Sequence, residues 1–386
     1  MTFETDRRDL LKVSGCALAT PAFAPVVSAS SDGWKTPRGD TANTASTDTG
    51  PVEGVTPACA AAADAIGTRV VADGTVYAAT SDGVGAFDAS DGDRLWGRDT
   101  EGVDAPVSFS GGAVYVTAGA STWSLDAETG EKRWSRRGTG ASASTPVEVD
   151  GTVYVGVSTT LYALGAQTGT VLWDGSLDGP LAGAPAVRDG TVYAATQEGN
   201  VYAFEADGGL EWTADAGASV AGAPVATEDG VFVVGGRGDV VSFEGSGGDE
   251  AWREGLTKEV SSPPAVDDDH VYVATDDGTV HSLRTSSGWE DWAFEFEGSG
   301  GAPSVGADTV YLAAGGAFRA LDASNGRERW RHEGASGSPA VVGTDLFFGD
   351  GGLHRLTGTL PSPDTTVGSA SIRADEAEVG EAVEVT

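Results

Sequence analysis

Gly183 to Trp212 reads GAPAVRDGTVYAATQEGNVYAFEADGGLEW. It is a small-residue strand, an Asp-Gly turn, a Val-Tyr strand, a second turn, another apolar strand, a Gly turn and a closing Trp. Asp-Gly supplies the positive φ that a tight hairpin demands. No 3.6-residue period runs through it, so the stretch predicts four antiparallel strands and no helix.

The stretch recurs. Its closing tryptophans are Trp96, Trp134, Trp173, Trp212, Trp252, Trp292 and Trp330, spaced 38, 39, 39, 40, 40 and 38 residues apart. The strand aromatic gives a second count: Tyr77, Tyr115, Tyr154, Tyr193, Phe232, Tyr272, Tyr311 and Phe347. Eight copies of a four-stranded unit of about 40 residues predict an all-β, eight-bladed propeller. Strands apolar on both faces, such as TVYVGV at Thr152–Val157, suit sheets sandwiched between neighbours. An indole on each outer strand is expected to dock against the adjacent blade, its N–H on a backbone carbonyl.

The copies Ala143–Trp173, Gly183–Trp212, Ser261–Trp292 and Gly301–Trp330 resemble the PQQ-type repeat (pyrroloquinoline-quinone enzyme-like) of the BamB-like propellers. The resemblance spans roughly residues 34–356. It implies the propeller fold and leaves function open, because such folds carry both enzymes and binding scaffolds.

The eighth copy, Gly337 to Leu356, holds only three strands, so its fourth is expected from the N-terminal side, which would leave no ring seam. Counting back one repeat from Trp96 points to about Val52–Ala62, with Cys59 or a neighbour at the tryptophan position. That departure predicts one underpacked junction. A closing strand around Trp34 is the alternative. Trp34 opens a leader, W-x-x-x-R-G-D-x-x-N-T, similar to one that precedes the blades in many PQQ-repeat propellers. Its Arg38-Gly39-Asp40 reads as a structural turn with an Arg–Asp pair.

The expected organisation is a signal peptide over 1–29, the leader over 30–50, the propeller over 51–356 and a linker over 357–370. A segment over 371–386 resembles the first strands of an immunoglobulin-like module. Sixteen residues cannot bury a core, so that segment is either part of a truncated domain or pairs with something else. Asp6-Arg7-Arg8-Asp9-Leu10-Leu11-Lys12 resembles a twin-arginine export motif, with cleavage expected after Ala29. Val13-Ser14-Gly15-Cys16 has a lipobox form, which would make Cys16 a lipid attachment point and the route to membrane association. With the signal removed, Cys59 has no internal disulfide partner.

The formal charge is −35, from 58 acidic and 23 basic residues. Acidity spread this evenly suits a hydrated surface adapted to high salt and disfavours nucleic acid and anionic lipid as partners. His270, His281, His332 and His354 are not at metal-ligand spacing. Asp88–Asp93 and Asp267–Asp269 read as acidic turns rather than calcium loops. A quinoprotein of the resembled type needs a calcium held by carboxylate and amide oxygens and a catalytic Asp; nothing stands out here, and blade spacing leaves no room for inserted loops. The sequence therefore points to an exported, halophile-type, monomeric and non-catalytic scaffold with no cofactor or metal. Its partner would be another extracytoplasmic protein. The alternative is a PQQ-dependent oxidoreductase.

Overall fold

Alternation of Val, Tyr and small residues with Asp-Gly turns closes into eight sheets in the computed structural model. It describes residues 33–358, apart from 52–54, 62–64, 101–102, 104, 120, 139–142, 218, 257, 335–336 and 350–352. The N-terminal segment with Cys16, and the linker and tail beyond Gly358, lie outside the described residues. Blades 1 to 7 occupy residues 65–99, 108–137, 147–176, 186–215, 225–255, 265–295 and 304–333. Each pairs four strands, here A to D from the axis outward, in sequence order and antiparallel.

Blade 8 takes strands A to C from Ala340–Val342, Asp345–Gly349 and Leu353–Gly358, and strand D from Val55–Ala61. Val55 pairs with Gly358 and Ala61 with Leu353, so a strand from the N-terminal side completes the last sheet. Trp34 is not in that strand. In blades 2 to 4 a bulge precedes the tryptophan, as between Lys132 and Trp134. In the closing strand the same irregularity falls between Pro57 and Cys59, which puts position 59 where the others have Trp.

The core lies between blades. Strand B contributes residues such as Val155, Phe232, Tyr272 and Leu312, all fully buried. At the axis the blades crowd together. A Cβ on Gly183 would lie 2.4 Å from the Ala223 nitrogen, and one on Gly222 would lie 2.9 Å from Pro263. Small residues open each blade because eight strands converge there.

Candidate functional site

Two constructions organise the polar groups of this molecule: the blade junctions and the axis.

At each of the first seven junctions an indole N–H donates to a backbone carbonyl across the interface. The pairs are Trp96 to Ala127 (2.8 Å), Trp134 to Ala166 (2.7 Å) and Trp173 to Ala206 (2.8 Å). Trp212 to Gly245 (2.9 Å), Trp252 to Thr285 (2.7 Å), Trp292 to Ala323 (2.7 Å) and Trp330 to Pro51 (3.1 Å) complete the series. Each ring also leans on the strand-B aromatic of its own blade, as Tyr193 on Trp212 at 5.9 Å. The receiving C–D turn is shaped for it. Gly169 has φ +66°, and a Cβ there would sit 2.6 Å from the Trp134 ring. That turn therefore needs Gly twice, for backbone sign and for space.

At the eighth junction strand D carries no tryptophan, and a different residue reaches the next blade. Arg355, on strand C of blade 8 and opposite Cys59, donates from Nη1 to the Ala89 carbonyl at 3.2 Å. Ala89 is the blade 1 counterpart of Ala127 and Ala166. The guanidinium also stands 6.0 Å from the Phe347 ring centre and 2.8 Å from Asp345. It thus makes both contacts that an indole makes elsewhere, one with the strand-B aromatic and one with the next blade's turn. The junction expected to lack its tryptophan contact thus receives a donor from the residue directly across from the tryptophan position, on the neighbouring strand, which repeat counting could not single out.

The leader goes to the axis. Carbonyls of Trp34, Lys35, Thr41, Ala42, Thr44 and Ala45 accept from the N–H of Val71, Phe109, Val187, Ala226, Val266 and Val305, at 2.7–3.0 Å. Those six donors are the same strand-A position in blades 1, 2, 4, 5, 6 and 7. Asn43, wholly buried, donates to the carbonyls of Ala184, Pro185 and Pro224. Arg38, 5 % exposed, donates to Pro264, and burial pulls its pKa down to about 10 despite nearby Asp40. Asp40 instead accepts from the Thr44 N–H at 3.0 Å and from its hydroxyl. Desolvation raises its pKa, against those hydrogen bonds. The Arg-Gly-Asp turn is structural, but its Arg and Asp are held by different partners rather than by each other. In blades 2 to 8 a Pro stands one or two residues before strand A, and the buried carbonyls there need donors. Arg38 and Asn43 supply them.

Trp34 is buried beside Val71, with Gly39 (φ +87°) against its ring. The leader then leaves the axis along blade 7, where Ser46–Thr47 pairs in parallel with Val305 and Gly306. Pro51 ends the run by accepting from both Tyr311 and Trp330.

Over the leader, on the face carrying the A–B turns, lies a bowl of about 780 Å³. Its wall holds the carboxylates of Asp40, Asp48, Glu228, Asp229, Asp267 and Asp268, and one cation, Arg188. Arg188 is already paired with Glu228 and Asp189.

His270, His281, His332 and His354 all lie on strands, the first two beside Asp291 and Glu290. Asp88 and Asp267 accept from their own turns, at Ser90 and at Asp269 and His270. Among the described residues no three His, Cys, Asp or Glu side chains gather as a metal site.

The family model described as outer membrane protein assembly factor BamB matches residues 53–136, 124–256 and 236–374, together most of the chain. No curated protein sequence matches it. Among solved structures, quinohemoprotein alcohol dehydrogenase from Comamonas testosteroni is similar at TM-score 0.72 and 15% identity, over 88% of this chain and 83% of that one. BamB from Moraxella catarrhalis is similar at TM-score 0.58 and 19% identity, over 81% and 96%. The computationally designed Ika8 protein is similar at 0.65 and 17%, over 82% and 99%. An enzyme, an assembly factor and a design on one fold show that the architecture does not choose the chemistry.

Proposed function

The chain belongs to the PQQ-repeat propeller family described as outer membrane protein assembly factor BamB, and from that premise we propose that it is a non-catalytic protein-binding scaffold working outside the cytoplasmic membrane. The observation that carries this reading is the leader at the axis. Six blades give their axial amides to the chain's own backbone, and Arg38 and Asn43 fill the space beside it. Axial groups spent on the chain's own leader support a binding surface over a housed cofactor.

Export by the twin-arginine sequence fits this reading, because that route carries folded proteins and this ring closes only when residues 55–61 and 353–358 meet. The charge of −35 fits a high-salt exterior. The domain boundaries read from the sequence belong to the same proposal, and lipid attachment at Cys16 is the alternative to cleavage after Ala29. Pull-down from high-salt membranes with the tagged chain should recover a defined protein partner. Recovery of nothing above a propeller control would sink the scaffold.

A second reading, a PQQ-dependent oxidoreductase, draws on the similarity to the alcohol dehydrogenase. Adding PQQ and calcium and recording the visible spectrum separates the two. A bound quinone band with dye reduction would overturn the scaffold reading.

A further inference from the structure

The acidity of this chain has an exception on the outer wall. Strand D of blade 2, Lys132–Arg137, reads KRWSRR, four cations with no carboxylate. The same strand in blades 1 and 3 to 7 reads RLWGRD, VLWDGS, LEWTAD, EAWREG, EDWAFE and ERWRHE. None of those has more than two Lys or Arg, and every one has an acid. Among the described residues only Arg133 of the four is ion-paired, with Asp126 at 2.9 Å. Lys132 stands 4.9 Å over the Trp123 ring and Arg136 5.9 Å from the Tyr162 ring of blade 3. The rings hold the cationic stems against the wall while the charges stay at the surface.

Two independent features say that the occupant is an extended peptide. Strand D is the last strand of its sheet among the described strands, so it presents a row of main-chain donors and acceptors. The strands D on either side present Leu95 and Leu172, both more than half exposed. A fitting occupant has carboxylates, apolar side chains and a strand's alternation. Residues 371–386 of this chain have all three. They carry five acids against Arg373. Read with a period of two, Glu376, Glu378 and Glu384 fall on one face, and Ala377, Val379, Val383 and Val385 fall with Glu381 on the other. Strand C of blade 8 ends at Gly358, on the side of the ring where strands D begin, and blade 1 alone separates blade 8 from blade 2. Residues 359–370, fully extended, span up to about 40 Å.

We propose that residues 371–386 lie along the edge of blade 2 as a fifth strand, their carboxylates paired with Lys132, Arg136 and Arg137. Strand addition supplies affinity through the backbone, and cross-strand charge pairs supply selection. The other tryptophan-bearing strands D repel such a segment with acids of their own. Main-chain hydrogen bonds hold at high ionic strength, where charge alone is screened. The added strand also covers an edge that would otherwise template pairing with another chain.

A carbodiimide joins a lysine amine to a carboxylate in direct contact, with no spacer. The lysines of this chain are Lys12, Lys35, Lys132 and Lys258. In the dilute full chain, mapped by mass spectrometry, Lys132 should join a carboxylate in 371–386 at a yield independent of protein concentration. Lys258, exposed and paired with Asp277, should not join that segment. Arg136→Glu with Arg137→Glu should lower the yield roughly tenfold, as two cross-strand pairs become like-charge contacts. Val379→Pro with Gly380→Pro keeps every carboxylate and removes two consecutive N–H groups, one of which faces blade 2 whichever way the strand lies. That variant should lower the yield severalfold. Full yield in either variant, no join between Lys132 and 371–386, or an equal yield at Lys258 overturns the proposal. So does coupling of Lys132 to residues 1–32, or a yield that rises with concentration, which would give the edge to another segment or to a second copy. Retention on phosphatidylglycerol vesicles that the Arg136→Glu/Arg137→Glu variant loses would assign the cations to a lipid surface and overturn it as well. The pull-down and the coupling fail independently, since one reads a partner and the other this chain alone.

Discussion

Blade junctions one to seven and the eighth junction solve one problem with different residues. Seven use an indole on strand D, and the eighth uses the guanidinium of Arg355 on strand C. Both reach a turn carbonyl of the next blade and both lie near a strand-B aromatic. The difference follows from chain topology. Strand D of blade 8 comes from the far end of the chain and carries Cys59 at the tryptophan position. Strand C, already placed by its hairpin, supplies the donor instead. A repeat protein thus conserves the contact at its seam while changing the residue and the strand that make it.

Substitutions can break or sharpen that comparison. Trp212→Ala removes a large buried ring and its bond to Gly245, and should lower stability by about 3–5 kcal/mol in denaturant unfolding. A loss under about 1 kcal/mol would mean that the indoles do not hold the blades. Arg355→Ala should cost less, about 1.5–3 kcal/mol, the range for a hydrogen bond to a charged group. If it matched the Trp212 loss, the seam would be as tightly fixed as the other junctions. Asn43→Ala strips three axial carbonyls of their donor and should cost about 1–3 kcal/mol by the same unfolding measurement. A neutral result would show that water replaces the amide.

The double variant Arg355→Ala with Cys59→Trp tests whether an indole in the repeat register restores the seam. A recovery of about 1 kcal/mol over Arg355→Ala alone is expected, the scale of one aromatic pair. Further loss would show that strand D of blade 8 cannot present a ring. The smallest effect is acid weakening of the receiving turns. In the turn that receives Trp96, the Arg133 hydrogen bond, with help from Thr129, holds the Asp126 pKa down to about 2. Ser90 lowers that of Asp88 in the turn that receives Arg355. A carboxyl lowered on folding stabilises above its unfolded pKa of roughly 3.9 and loses that as pH falls through the folded value. Stability should therefore drop between about pH 4 and pH 2. Arg133→Ala should move the Asp126 titration, followed by NMR, upward.

Much of the fold was legible because a propeller repeats its instructions. Seven closing tryptophans and eight strand aromatics counted the blades, and subtracting one repeat from Trp96 reached the closing strand. The leader motif was visible too, but its destination was not. Nothing local in Arg38 or Asn43 says that they face proline carbonyls contributed by residues 142 to 226 positions away. Arg355 was hidden for a related reason. It lies in an ordinary strand C, and only the meeting of blade 8 with blade 1 gives it a carbonyl to serve.

The amino-acid order by itself determined what nearby residues can enforce: strand length, turn sign, the period of the repeat and so the number of sheets. Tertiary structure alone decided how the ring is finished. Which group bridges the seam and which amides the leader takes depend on segments hundreds of residues apart meeting around one axis. Local pattern cannot encode such a meeting, because its partners are chosen only when the last blade closes.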